Sequence, residues 1–337
     1  MEYSEQRTIL RALIIRLVVT ISRWLQAEKG DVEMKIIAKQ FSHRPGFTIV
    51  EMLTAIAIIA VLVSLIIPAL SMVHKAADKA RQRAQFHSIE LGLEAFRADF
   101  GDYPESIDNR DKPGGVGTDA YCGAQKLAEA MIGLDGFGFH PDSVFSKDGL
   151  DKDGTPLYKP EVDLYIDTLL LSDDEKDAAK RENLTIRKGP YLELETANAV
   201  KIKDLYDVTK LFPNLGNDTF VLADMFGLVK HRSTGKKTGT PILYFRANAG
   251  RFEHDETRIN DGVNIYEFND NEVLIDWPAP NWTLHKMTPK IFYENTLNPN
   301  FPAPPRPYRS ESFILLSAGP DGRYGTSDDV YNFDSGT

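Results

Sequence analysis

The sequence has a single cysteine, Cys122, in 337 residues, so no internal disulfide can staple the fold. A lone thiol of this kind is expected to be a small buried hydrophobe. The seven histidines are scattered, with no H-E-x-x-H pair and no Cys/His zinc set. There is no G-x-S-x-G elbow, no dinucleotide-binding glycine fingerprint and no complete Walker loop. Ser233-Thr234-Gly235-Lys236-Lys237 approaches a phosphate loop, but Lys230 stands where its first glycine belongs, and the stretch reads as an exposed hairpin tip. These gaps point away from an enzyme. Positive charge is also short: 39 Lys and Arg face 49 Asp and Glu. Eight of those bases and only five of the acids precede Phe47, so the acidic excess lies after it. Such a surface argues against nucleic acid as the main partner, and favours solubility and cation binding. No repeat of 20–50 residues is visible.

Long apolar runs are equally rare. One stands out, Phe47 to Leu70, with Glu51 as its only charge. As a helix it reaches about 36 Å at ~1.5 Å per residue, enough to cross a bilayer core. Helix is the state that satisfies its backbone in lipid. Lys35, Lys39 and Arg44 precede it, and the positive-inside rule puts the N-terminus in the cytoplasm. Thr8 to Trp24 reads as a basic interfacial stretch if translation begins at Met1. A start at Met34 leaves MKIIAKQFSHRPG, a compact basic leader, and is the preferred reading.

An ionised carboxylate in lipid is costly, and such residues usually have a function. A cut after Gly46 makes Phe47 the new N-terminus and Glu51 the fifth residue, about one helical turn away. The amine of one subunit can then neutralise the acid of the next and set filament register. Arg44-Pro45-Gly46-Phe47-Thr48-Ile49-Val50-Glu51-Met52-Leu53 resembles the class III signal of type IV pilins and pseudopilins. The resemblance implies that a prepilin peptidase cuts after Gly46 and methylates Phe47, and that Glu51 promotes assembly. Pro68 matches the family's usual proline and is expected to kink or locally melt the helix.

Helical pattern resumes at Ser71. Ala76, Ala77, Ala80, Ala84, Ile89, Leu91, Leu93 and Phe96 form the expected apolar stripe of one helix running from about 48 to 100. Gly101 ends it and Pro104 forbids extension. Gly101-Asp102-Tyr103-Pro104 resembles the G-x-Y-P of G-type pseudopilins. A short helix is expected over 119–132, and Ser172-Asp173-Asp174-Glu175 opens a charged helix to about Glu182. Strands are expected at Leu192–Leu194, Phe220–Leu222, Ile242–Arg246, Asn264–Phe268 and Phe313–Leu316. Pro302, Pro304, Pro305 and Pro307 read as a stiff connector before the last strand. Asp224-Met225-Phe226-Gly227, with Pro241 and Tyr244 beyond a polar insertion, resembles the G-type D-P-W-G-x-P-Y turn. The fold class is therefore α+β: a long, partly transmembrane helix packed on a small antiparallel sheet, type IV pilin-like, with long loop and helix insertions. The divisions are 1–46 leader, 47–70 membrane half of the helix, 71–100 soluble half, and 101–337 periplasmic domain.

Residues 317–330, SAGPDGRYGTSDDV, crowd three carboxylates and four hydroxyls among three glycines. Ca2+ takes six to eight oxygens, and Asp321, Asp328 and Asp329 can supply charge while Ser317 and backbone carbonyls complete the shell. Without a metal the stretch is an Asp/Gly-rich hairpin. It resembles the C-terminal calcium loop of the major, G-type pseudopilin, which favours Ca2+. A second acidic turn, Asp148 to Gly154, has no acid at the twelfth position and reads as a solvated turn.

The resemblance implies a structural subunit of a type II secretion pseudopilus. Its partners would be the prepilin peptidase, other pseudopilin subunits, an inner-membrane assembly platform with its secretion ATPase, and the membrane itself. The place implied is the inner membrane, single-pass, with the domain in the periplasm. A minor pseudopilin, or a surface pilin used in adhesion or DNA uptake, is the alternative.

Overall fold

The structure, a computed structural model, describes residues 48–109, 120–158, 181–206, 216, 218–259, 261–276 and 285–333. The leader, Phe47, residues 110–119 and Ser172–Glu175 lie outside these. The chain divides into two compact units, Met1–Ser64 and Leu65–Thr337.

Helix α1 (Ile49–Phe100) is 52 residues long, and its backbone stays helical through Pro68. Of the kink or local melting expected there, the melting does not occur: a proline removes one backbone bond, and the apolar helix on either side keeps the rest. In the first unit every described side chain of α1 is exposed. Among the described residues no helix is long and apolar enough to cross a membrane.

In the second unit α1 buries Gln82, Gln85, Phe86, Ile89, Leu93 and Phe96. Their spacing of three and four is one face of a helix. The expected stripe needs correction here. Ala76, Ala77, Ala80 and Ala84 are exposed, and Leu91 is 60% exposed. Two glutamines take their place on the buried face because each finds a backbone partner. Gln85 donates to the carbonyls of Ala197 (3.2 Å) and Ala223 (2.8 Å), and Gln82 accepts from Met225 N–H at 2.9 Å. At the C-terminus Gly101 takes φ 85° and its N–H bonds the Arg97 carbonyl at 2.8 Å. Tyr103 then folds back, its hydroxyl donating to Glu94 at 2.6 Å.

Helix α2 (Gly123–Ile132) is buried along its whole length. Strand β1 (Ala199–Lys201) pairs antiparallel with β2 (Phe220–Leu222), and a short helix α3 (Ile202–Leu205) follows β1. Strands β3 (Val229–Lys230) and β4 (Lys237–Thr238) form a hairpin around the polar insertion, as the sequence led us to expect. Strand β5 (Leu243–Arg246) is followed by helices α4 (Glu272–Ile275) and α5 (Pro289–Thr296). Strands β6 (Leu297–Pro302) and β7 (Pro305–Pro307) pair with each other. Strands β8 (Phe313–Ser317) and β9 (Val330–Tyr331) complete a three-stranded antiparallel sheet in the order β5-β8-β9.

The central pair runs Leu243↔Leu316, Tyr244↔Leu315, Phe245↔Ile314 and Arg246↔Phe313. Alternation sorts these residues into two cores. Tyr244, Phe313 and Leu315 pack with the α1 residues and most of α2. Leu243, Phe245, Ile314 and Leu316 pack with Phe268, Phe292 and Tyr293 on the other face. This is a mixed α+β arrangement with small antiparallel sheets.

Two of the expected strands are absent, and the expected connector is itself paired. Residues 192–194 run from a bend into a turn, and the strand lies later, at β1. Residues 264–268 contribute only an isolated bridge, Glu253↔Asn264, before a 3-10 turn over Phe268–Asn271. The proline-rich segment is the β6–β7 hairpin, where prolines serve because each strand has only one partner. Cys122 is fully buried, as a small hydrophobe should be, and burial pushes its thiol up to about 12. Residues 181–186 are helical, a few residues beyond the expected end of the charged helix.

Candidate functional site

Two regions carry the chemistry anticipated from the sequence. At the start of α1, Thr48 and Glu51 bond reciprocally. Glu51 Oε2 accepts from the Thr48 N–H and from its hydroxyl, each at 2.9 Å, and Thr48 Oγ1 accepts from the Glu51 N–H at 3.2 Å. This is a capping box, worth about 1 kcal/mol to the first turn. The T-x-x-E spacing announced it, and sequence reasoning gave Glu51 only its intersubunit role. The box uses one carboxylate oxygen. Oε1 makes no hydrogen bond to the described residues and remains open to a donor from another molecule. Gly46 and Phe47 fall outside the described residues, and Pro68 continues the helix.

The second region joins the C-terminal loop to the Asp224 turn. The loop begins at the end of β8 and returns as β9. A side chain at Gly319, where φ is 65°, would place its Cβ 2.0 Å from the Asp328 carbonyl oxygen, so only glycine lets the loop close. Tyr324 anchors the loop from inside: its carbonyl accepts from the N–H groups of Lys286 and Met287, both at 2.9 Å. Asp321 Oδ1 accepts from the Arg323 N–H and Asp329 Oδ2 from the Gly325 N–H, each at 2.9 Å. Asp329 Oδ1 is buried and has no partner among the described residues. Burial pushes Asp329 up to about 8, and the carboxylates of Asp321 and Asp328 add to the rise.

Ser317 is fully buried; its hydroxyl donates to Asp224 Oδ2 at 2.9 Å and accepts from the Gly319 N–H at 3.2 Å. Among the described residues no three His, Cys, Asp or Glu side chains are gathered tightly enough to hold a metal ion. The donor set nevertheless suits a hard cation. Three carboxylates lie in one short loop, one of them with a buried oxygen lacking any partner.

Asp224 was not singled out by sequence as a functional residue, and it is the hub of this region. Its carboxylate accepts from Thr240 Oγ1 (2.5 Å), Ser317 Oγ (2.9 Å), and the N–H groups of Phe226 and Thr240 (each 3.2 Å). Burial raises Asp224 to about 6. The split motif is reassembled because the β3–β4 hairpin returns the chain to its starting point. Ala223 bridges Pro241, and Asp224 N–H bonds the Thr240 carbonyl at 2.8 Å. The turn also contacts α1 through Met225 N–H and Gln82. The other acidic turn closes on itself, Asp151 Oδ1 accepting from the N–H groups of Asp153 and Thr155.

The family model for the prokaryotic N-terminal methylation motif matches residues 42–67. The motif indicates a type IV pilin-like protein. It spans the segment in which Gly46, Phe47 and Glu51 were singled out, and it marks a membrane-anchored precursor that prepilin peptidase cleaves and that assembles with other pilin subunits. The α+β arrangement of α1 on small antiparallel sheets fits a pilin-like protein. No curated protein and no solved structure is similar enough to match this chain.

Proposed function

We propose that the chain is a pseudopilin of a type II secretion system, a structural subunit rather than an enzyme. Its precursor sits in the inner membrane through residues 47–70, with the leader in the cytoplasm and residues 101–337 in the periplasm. The peptidase cuts between Gly46 and Phe47 and methylates Phe47. An assembly platform driven by its secretion ATPase then lifts the subunit into a filament that pushes proteins outward. Burial of the apolar half of α1 against its copies supplies the cohesion. Glu51 receives the N-terminal amine of a neighbour. Ca2+ bound by Asp321, Asp328 and Asp329 holds the C-terminal loop against β8.

The observation that carries this reading is the methylation motif over residues 42–67, with one acid in an otherwise apolar helix start. The acidic excess of the chain favours secretion over a pilin that captures nucleic acid. The test is deletion of the gene in its host. Loss of secreted proteins from the medium, with surface pili intact, is expected. Loss of pili with secretion intact would assign the chain to a surface pilus instead. Whether the subunit is major or minor follows from its abundance relative to the other filament proteins.

A further inference from the structure

A cavity of about 400 Å3 opens beside α5, on the side of the β5–β8 pair opposite α1. No Lys or Arg lines it. Phe252 stands at its wall and is 79% exposed, the most exposed large apolar side chain among the described residues. His254, only 8% exposed, also lines it. Its Nε2 bonds the Tyr293 carbonyl at 3.0 Å, while its buried Nδ1 finds no partner among the described residues. Of the lining acids, Glu253 is occupied by Arg258 at 2.5 Å. Asp255 turns one oxygen to the Thr257 N–H and hydroxyl. Glu256 makes no hydrogen bond or ion pair with the described residues. Glu294 has only a 3.8 Å pair to an exposed lysine, a weak contact. The cavity thus joins aromatic and proline walls to carboxylates in excess. That suits a long alkyl chain ending in a cation, whose stem packs on the apolar wall while its head meets the acids.

The chain supplies such groups itself. On α1, ahead of the face that packs on the sheet, Lys75 and Lys79 are exposed and pair with no described residue. They stand four apart and so share a face of the helix. The nearby acid, Asp78, is engaged by Arg81 at 3.4 Å. We infer that the acidic aromatic cavity of one subunit receives Lys75 and Lys79 of a second copy. The inference rests on the filament reading above. Within a subunit α1 and the cavity lie on opposite faces of the sheet, so the contact joins unlike surfaces. A contact of that kind does not close into a dimer and propagates as an open helical array.

The test uses the full chain in its host, with the assembly machinery present. Glu256→Lys with Glu294→Lys is expected to lower filament yield about tenfold, as opposed charges replace matched ones. Lys75→Glu with Lys79→Glu should do the same, and combining all four should restore most of the yield. Co-expressed chains carrying Glu256→Cys and Lys79→Cys should cross-link to each other, and Cys122 does not compete because it is fully buried. Normal yield from either reversal, a loss that the fourfold variant does not restore, or capture of a different protein by the Glu256→Cys chain would each overturn the contact. Failure of the unaltered chain to form filaments would overturn the filament reading itself and this contact with it.

Discussion

Glu51→Gln is expected to block incorporation into filaments while leaving cleavage after Gly46 intact. The substitution is chosen because the capping box accepts either Glu or Gln at this position. Thr48 therefore keeps its reciprocal partner, and the first turn of α1 remains formed. What is lost is the negative charge facing the neighbour's amine. Leaving an ammonium unpaired in an apolar filament core costs about 3 kcal/mol or more, over a hundredfold in incorporation. Glu51→Ala removes both the charge and the cap, and its further cost should be only about 1 kcal/mol. Filament yield from sheared or cross-linked cells, with the ratio of cut to uncut chain from the same cells, measures both effects. If Glu51→Gln assembles normally and Glu51→Ala does not, Glu51 acts as a helix cap and the intersubunit pairing is wrong.

Calcium is expected to raise the melting temperature of a fragment beginning near Lys75 by about 5–10 °C at a hundredfold excess over its dissociation constant. All of the buried core lies beyond that point. Asp321→Ala with Asp328→Ala should abolish the shift, and so should Asp329→Asn, which removes the charge of the half-satisfied buried carboxyl. The effect should depend on pH in a defined direction. Burial raises Asp329 to about 8, Glu129 and Asp270 to about 7, and Asp224 to about 6, all above their unfolded values. The folded protein then holds more protons than the unfolded chain between about pH 4 and pH 8, so calcium-free stability falls as pH rises through that window. Calcium needs the loop carboxylates ionised, so its stabilising shift grows over the same range. A shift independent of pH, or one that survives loss of Asp321 and Asp328, would remove the metal from the account.

Much of the fold was legible because its elements announce themselves locally. The helix from Ile49 to Phe100 has an apolar start, a 3.6-residue pattern and a glycine stop. Strands β2, β5 and β8 are apolar runs between turn residues, and they appeared within one residue of their expected limits. The misreadings have a common cause, since each depended on partners distant in sequence. Gln82 and Gln85 look like surface residues until the carbonyls and N–H of the 197–225 region meet them. Leu91 fits the apolar pattern and yet faces outward, because the packed face is rotated toward Phe86 and Leu93. Asp224 reads as a turn residue. Its role as hub comes from Ser317, 93 residues away. By contrast, the Thr48–Glu51 box was readable from four residues and was hidden only by the more conspicuous oddity of an acid in an apolar run.

Assembly depends on creation of a new N-terminus at Phe47, because the partner of Glu51 does not exist until that bond is cut. Mass spectrometry of the protein taken from host membranes is the direct measurement. The account predicts an N-terminal peptide that starts at Phe47 and carries one added methyl group on its amine. A peptide running uncut from Arg44 through Glu51 as the dominant species, in cells that contain active prepilin peptidase, would contradict it.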